Sequence, residues 1–108
     1  MNEYDKFKHD KKSDDKSPPE SVYWWVFGRK GGNTREKIIY LLKDRPYNAH
    51  QISEILEMSY RNIKHHLKVL QNATLVIKND QKYGKMYLLS PYFDFKIFEE
   101  VCKKVASE

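Results

Sequence analysis

The chain separates its apolar and polar positions most clearly between residues 59 and 72, where they follow the period of a helix. At about 100° per residue, Ile63, Leu67 and Leu70 fall on one side of that helix. The opposite side carries Arg61, His65, Lys68 and Asn72, with Lys64 on its shoulder. A helix with one apolar stripe and one cationic, hydrogen-bonding stripe can pack on a core and lie in a DNA major groove. Taken alone, the same pattern also fits an ordinary solvated helix face.

A shorter helix is predicted directly before it. Asn48 is expected to cap that helix, with Gln51 at the reciprocal position of a capping box. The residues expected to face inward are Ile52, Ile55 and Leu56. Glu57 and Met58 would make the turn, and Ser59 would cap the next helix. A gap of about three residues between two helices is typical of a helix-turn-helix.

Another helix and a hairpin are predicted on either side of this pair. Asn33 is expected to cap the earlier helix, with Glu36 as its reciprocal partner, and the helix should end near Asp44 before a proline. After the helix pair, the alternating segments 75–78 and 85–89 predict two strands, and the residues between them contain turn formers. Three helices followed by a β-hairpin indicate a winged helix-turn-helix.

Two terminal helices complete the prediction. Ser17 and Ser90, each followed by proline, indicate helix starts for the segments 18–27 and 92–106. Their large apolar residues exceed what a small winged core needs, which predicts a homodimer that covers them. The expected dimerisation residues are Trp24, Trp25, Phe27, Phe93, Ile97, Phe98, Val101 and Val105. The competing account is that the two helices pack on each other within one chain and fill its core.

The predicted fold class is therefore mainly α with a small β-hairpin (α+β), a winged helix-turn-helix with additional N- and C-terminal helices. Residues 1–16 mix both charges with almost no apolar content, which predicts a disordered N-terminal arm. Residues 17–108 are expected to form one DNA-binding domain, since 108 residues suit a single domain.

Charge strengthens the nucleic-acid interpretation. The net charge is +5, but the first twenty residues are slightly acidic, so the cationic excess lies in the remainder. Between Arg61 and Lys85 the only acid is Asp80. A local excess of this kind is better explained by a polyanionic partner than by a surface that only keeps the protein in solution.

Other classes find less support in the sequence. Cys102 is the single cysteine, so an internal disulfide is excluded, and we expect it to be a buried small hydrophobe. No apolar run approaches the roughly 18 residues of a spanning helix, and the first residues lack the apolar stretch of a signal peptide. A cytoplasmic protein is expected. No nucleophile, acid and base recur in a catalytic arrangement, so we expect no enzyme.

Four stretches resemble the arsenic-repressor-type (ArsR-type) winged-helix regulators, particularly short archaeal versions. They are GGNTREKIIYLL, RPYNAHQISEIL, SYRNIKHHLKVL and KYGKMYLLSP, and the resemblance is close over residues 31–91. It implies a homodimeric transcriptional regulator, with a repressor favoured. The helix at 59–72 would recognise DNA, the wing would steady it, and the terminal helices would build the dimer.

Two departures from the family pattern stand out. Glu57 occupies a turn position where relatives often carry glycine, and a positive φ there would cost glutamate about 1 kcal/mol. Metal-sensing members carry a Cys-x-Cys pair in the DNA-binding helices or acidic and histidine sets on the last helix. This chain has no such cysteine pair, and its last helix has no histidine. No metal and no cofactor are expected.

The predicted partners are double-stranded DNA and a second copy of the chain. The residues expected to meet DNA are Ser59, Tyr60, Arg61, Asn62, Lys64, His65, His66, Lys68, Lys78, Lys82 and Lys85. His66 lies nearer the buried side, so it is expected to bond to backbone or phosphate. Two alternatives use the same charges. One is a protein-interaction module for an acidic partner, and the other is an architectural protein that binds DNA of any sequence.

Overall fold

The computed structural model of the protein describes residues 17–81 and 84–107. In chain order they form α1 (Glu20–Phe27), α2 (Gly32–Asp44), α3 (Ala49–Leu56), α4 (Tyr60–Asn72), β1 (Val76–Gln81), β2 (Gly84–Leu89) and α5 (Phe95–Ala106). The predicted class is confirmed, since three helices, α2 to α4, precede an antiparallel hairpin and a further helix stands at each end. The predicted arm at 1–16 and the wing residue Lys82 lie outside the described residues.

The core is built where the winged unit meets the terminal helices. Ile38 and Ile39 of α2, Ile52 of α3 and the stripe of α4 are fully buried. Leu75 and Val76 close the core from the start of β1. The predicted apolar stripe of α4 is therefore confirmed, and its polar side is left outside. The prediction for Ile55 is wrong, because 48% of that side chain is exposed on the outer side of α3.

Side-chain caps fix the start of the helix-turn-helix. The Asn48 side chain accepts a hydrogen bond from Gln51 N at 2.8 Å, and Gln51 Oε1 accepts one from Asn48 N at 2.9 Å. The Ser59 hydroxyl accepts from Asn62 N at 3.1 Å and begins α4. These bonds satisfy N–H groups that a helix start otherwise leaves without partners. The predicted caps are confirmed at both positions.

The three other predicted caps are wrong. The N-cap of α1 is Pro19 without a side-chain hydrogen bond, and the Ser17 hydroxyl lies 3.1 Å from the Tyr23 hydroxyl instead. Helix α2 begins at Gly32, after Gly31 with a φ of 89°, so the predicted cap Asn33 already lies within the helix. Helix α5 is capped by Asp94, whose carboxylate accepts from Ile97 N at 3.1 Å. In each case a tertiary contact or a backbone turn moves the helix start away from the nearest capping sequence.

The hairpin is longer than predicted. Strands β1 and β2 pair in register from Val76 opposite Leu89 to Gln81 opposite Gly84. Residues assigned to the turn from sequence therefore continue the ladder. Gly84 has a φ of 127°, which glycine tolerates at a strand end. Tyr47 forms an isolated bridge to Tyr87, so the connection between α2 and α3 is tied to the wing.

The terminal helices pack on each other within the chain. Phe98 is fully buried, and its ring centroid lies 4.9 Å from that of Phe27 and 5.4 Å from that of Phe93. The Tyr23 hydroxyl accepts a hydrogen bond from Asp94 N at 2.9 Å, which joins α1 to the start of α5. Burial raises the pKa of Tyr23, so this hydroxyl is neutral at physiological pH. The intrachain account of these helices therefore holds for much of their apolar surface.

Candidate nucleic-acid interface

A tight turn sets the angle between α3 and α4. Glu57 ends α3 at φ 55°, and its N–H donates to Glu54 O at 3.3 Å, while Met58 N donates to Ser53 O at 3.0 Å. The left-handed conformation is the one that the family's glycine would favour. Glutamate adopts it here at an expected cost of about 1 kcal/mol.

The outward side of α4 is polar along its whole length. Arg61, Asn62, His65, Lys68 and Asn72 are all exposed. The buried stripe directly opposite them is at zero exposure, so the helix presents these side chains without losing any core contact. An exposed cationic side of a core-anchored helix has the form that enters a DNA major groove. The structure thus brings these five side chains of α4 together on one surface, which we call the basic face.

Lys64 joins the basic face to the wing. Its Nζ donates a hydrogen bond to the Tyr87 hydroxyl at 3.2 Å and lies 6.0 Å from the centre of the Tyr60 ring. The bond to Tyr87 raises the pKa of Lys64, which keeps this side chain cationic. Tyr87 is held in turn by two backbone hydrogen bonds with Tyr47, of 3.2 and 2.8 Å. Lys64 therefore links α4 to β2.

Two clefts flank the Lys64–Tyr87 pair. The first has a volume of about 530 Å³ and lies between α4 and the wing. Its lining residues are Arg61, Lys64, His65, Lys68, Gln71, Asn72, Lys78 and Tyr87. Lys78 of β1 is thus brought beside the basic face as predicted. A cleft lined by this many cations and amides suits an anionic backbone rather than an apolar ligand.

The second cleft, of about 370 Å³, lies between β2 and the first turns of α3 and α4. His50 and Tyr60 stack there, with ring centroids 4.2 Å apart and planes 15° from parallel. Lys85 of β2 lines the same cleft and is exposed. Tyr60 is therefore placed by packing on His50, and both rings stand beside a wing lysine.

His66 points away from the basic face toward α2. Its Nδ1 lies 3.1 Å from Nη1 of Arg35, whose Nε donates to Val26 O at 2.8 Å. Burial, with smaller effects from Arg35 and His65, lowers the pKa of His66. Its Nδ1 is therefore paired with an arginine side chain and not with the backbone, and the expected phosphate contact stays a prediction.

Sequence reasoning missed Arg35 altogether. An arginine in a helix is normally assigned to the surface, yet only 5% of this side chain is exposed. Burial, assisted by Arg29, lowers its pKa, but an arginine pKa starts so high that the guanidinium stays charged. The usable signal was its place one turn before Ile38 and Ile39, on the inward side of α2.

The terminal helices hold three predicted dimerisation residues inside the monomer. Phe27, Phe98 and Val101 are 4%, 0% and 1% exposed, so they do not form a free surface. Trp25 is 51% exposed. The other predicted residues are half-buried, namely Trp24, Phe93, Ile97 and Val105. Any partner would meet a smaller apolar surface than the sequence suggested.

Cys102 is half-buried on α5. Burial, with Glu36 beside it, raises the pKa of this thiol to about 12, so it is a poor nucleophile at neutral pH. Within residues 17–81 and 84–107, no group of three or more His, Cys, Asp or Glu side chains could hold a metal ion. No helix in these ranges is long and apolar enough to cross a membrane.

Comparison with known proteins agrees with this geometry. Residues 32–78, which span α2 to the first residues of β1, match the family model described as "Bacterial regulatory protein, arsR family". The resemblance expected from the sequence is thereby confirmed over this segment. The family is one of transcription regulators, which supports a DNA-binding transcriptional regulator. No curated protein matches the chain.

Solved structures share the fold at low sequence identity. HlyU from Vibrio cholerae is 23% identical, with a TM-score of 0.56 over 75% of this chain and 86% of that one. A transcriptional regulator HlyU from Vibrio vulnificus is 18% identical, with a TM-score of 0.59 over 99% of this chain and 97% of that one. The second match extends the shared fold to the terminal helices.

Proposed function

From the match of residues 32–78 to the model of the arsR family of bacterial regulatory proteins, we propose that the chain is a homodimeric repressor that recognises a specific double-stranded DNA sequence. The observation that carries the proposal is the division of α4 into a fully buried apolar stripe and an exposed basic face. The helix can give every outward side chain to DNA without disturbing the fold.

In the proposed complex, α4 lies in the major groove. Arg61, His65 and Lys68 meet base edges or phosphates as the groove is followed along the helix. Arg61 stands in the first turn of α4, and the first turn of a recognition helix is the part that usually reaches base edges. Asn62 beside it supplies an amide that can recognise adenine.

The wing contacts the flanking backbone or minor groove. Lys78 lines the cleft beside the basic face, and Lys85 lines the cleft beside the first turn of α3, so the two lysines lie in different clefts. Because Lys64 holds the wing to α4, both contacts have a set distance from the groove. The lysines are expected to add affinity without adding sequence preference.

The DNA proposal is tested by selecting duplexes from a randomised library with the full chain. One enriched sequence, bound much more tightly than random duplex and more weakly as salt rises, is the expected result. Equal, salt-dependent binding to all duplexes would instead identify an architectural protein. Absence of binding to any duplex at low salt would favour a protein-interaction module for an acidic partner.

A two-fold dimer is the second part of the proposal. The exposed Trp25 of α1 and the half-buried Ile97 and Val105 of α5 leave an apolar surplus on the terminal helices. Pairing two copies through it would place two α4 helices for neighbouring major grooves. The selected sequence is then expected to be an inverted repeat with half-sites about 10 bp apart or a multiple of that.

The oligomeric state is measured by light scattering of the wild type and of Trp25→Glu. Trp25 is exposed in the monomer, so this variant should remain folded and become monomeric, whereas Phe98→Glu would break the core. The matched control is Ile55→Glu, which places the same charge on an exposed apolar residue of α3. A monomer mass for folded wild type at tens of micromolar would rule out the dimer.

A further inference from the structure

Arg35 makes hydrogen bonds to three separate parts of the fold. Its Nε donates to Val26 O at 2.8 Å, its Nη2 donates to Lys30 O at 3.1 Å, and its Nη1 lies 3.1 Å from His66 Nδ1. Val26 stands in the last turn of α1, where carbonyl groups have no partner within the helix. One side chain thus links the end of α1, the loop before α2 and the middle of α4.

The contact with His66 requires one protonation state of the imidazole. A guanidinium has only N–H donors and no acceptor, so Nδ1 of His66 must accept. His66 is therefore neutral, with its proton on Nε2. A second proton on Nδ1 would set a donor against a donor and two cations 3.1 Å apart.

We propose that Arg35 is a positioning residue for DNA recognition, which acts through neutral His66 to hold the rotation of α4 relative to α1. Protonation of His66 breaks its hydrogen bond to Arg35, so α4 is no longer held in this orientation and the discrimination between DNA sequences falls. The inference rests on the proposed function, because it concerns how α4 presents its basic face to base edges.

The surroundings of His66 favour the neutral form. Arg35 faces it from α2, His65 lies beside it on α4 with a ring centroid 5.5 Å away, and Arg29 acts on Arg35 from the loop. Gly31 packs closely, since a Cβ on it would meet the His66 ring at 3.0 Å. Burial first, and the two neighbouring cationic or titratable groups next, lower the pKa of His66. Protonation of folded His66 therefore requires a pH below the ordinary histidine value of 6.5, and the hydrogen bond to Arg35 is lost as pH falls through this lowered pKa.

Loss of the hold is expected to affect specific binding more than non-specific binding. Base contacts depend on hydrogen bonds whose strength falls steeply with misalignment, and they lie on the helix that His66 anchors. Contacts to phosphates tolerate small rotations and carry little sequence information. The ratio of the two affinities therefore reports on positioning, and it cancels pH effects that act equally on all DNA.

The experiment uses the full chain with two probes, the duplex selected by the wild type and a random duplex of equal length. Their affinity ratio is measured from about pH 8 to about pH 5 at constant ionic strength, a window that spans histidine titration. The wild-type ratio should fall by about tenfold, the size of one weakened base contact. At neutral pH, His66→Leu and Arg35→Lys should show a similar reduction, because the first lacks an acceptor and the second lacks the fork.

His66→Asn supplies the rescue. Its amide oxygen can accept from Arg35 and does not titrate, so the ratio should stay high and flat with pH. The matched control is His50→Asn, which changes an exposed histidine of α3 to which we assign no DNA contact and should retain the pH dependence. A flat wild-type ratio, or pH dependence that survives in His66→Leu, would overturn the inference alone.

A readout without DNA separates this inference from the proposed function. Long-range proton–nitrogen correlation spectra of the free protein should show His66 as the Nε2–H tautomer at neutral pH, and Arg35→Lys should remove that preference. Observation of the Nδ1–H tautomer would overturn the positioning role even where the selection succeeds. If no duplex is enriched, the proposed function fails and the inference fails with it.

Discussion

Helices α4 and α5 have 13 and 12 residues, and each is amphipathic, yet they use their apolar sides differently. The apolar stripe of α4 is aliphatic and fully buried, and its outer side is polar apart from Tyr60 in the first turn, which is 43% exposed. Helix α5 buries Phe98 and Val101 completely but leaves Ile97, Cys102 and Val105 half-covered. The monomer therefore covers the apolar stripe of α4 completely and the apolar side of α5 only in part.

This difference separates the two kinds of partner. A helix whose apolar stripe is already covered within the chain presents mainly charged and amide groups to a partner, which suits a hydrated polyanion. A helix with residual apolar surface gains free energy from a partner that removes this surface from water. In the proposed function, DNA is therefore assigned to α4 and a second copy of the chain to the terminal helices.

The largest expected effect is on the core side of α5. Phe98→Ala should lower the free energy of unfolding by about 3–5 kcal/mol, because the side chain is fully buried among other rings and leaves a cavity. Ile97→Ala, on the half-covered side of the same helix, should lower it by less than half as much. Urea denaturation measures both, and an equal loss would mean that α5 does not divide its apolar residues in this way.

A smaller effect is expected on the basic face of α4. Arg61→Ala should weaken binding to the selected duplex by about 1–3 kcal/mol and change stability by no more than about 0.5 kcal/mol. The matched control on α5 is Lys96→Ala, which removes an exposed cation from the other helix. Fluorescence anisotropy compares the two variants. Equal losses would indicate a diffuse charge effect and not a recognition helix.

The wing lysines should change the salt dependence more than the sequence preference. The double variant Lys78→Ala, Lys85→Ala is expected to reduce the slope of log affinity against log salt by about 2, which is about 0.9 per lost phosphate contact. Lys103→Ala, Lys104→Ala removes the same charge from the last turn of α5 and should leave the slope unchanged. An unchanged slope for the wing variant would show that the wing does not touch DNA.

The smallest expected effect compares a helix start of the winged unit with one of the terminal pair. Asn48→Ala removes a complete capping box and should lower stability by about 1 kcal/mol. Ser17→Ala should cost less, because Ser17 caps no helix and its hydroxyl makes only half-buried contacts with Tyr23 and with Pro18 O. Thermal unfolding measures the two shifts, and a larger shift for Ser17→Ala would reverse this ranking.

Local pattern was sufficient where the determining interactions lie within one or two turns of helix. The division of α4, the caps at Asn48 and Ser59, and the presence of the hairpin all depend on neighbours within a few residues. These features were predictable because periodicity and capping chemistry are properties of short segments.

Tertiary structure alone decided the direction in which the remaining side chains point. The hydrogen bond between Tyr23 and Asp94 joins residues 71 positions apart, and the contact between Arg35 and His66 spans 31 positions. No period in the sequence connects such pairs, because they meet only when separate helices pack. The burial of Phe27, Phe98 and Arg35 follows from that packing. The sequence shows which side of a helix each residue occupies, but it does not show which other element will cover that side.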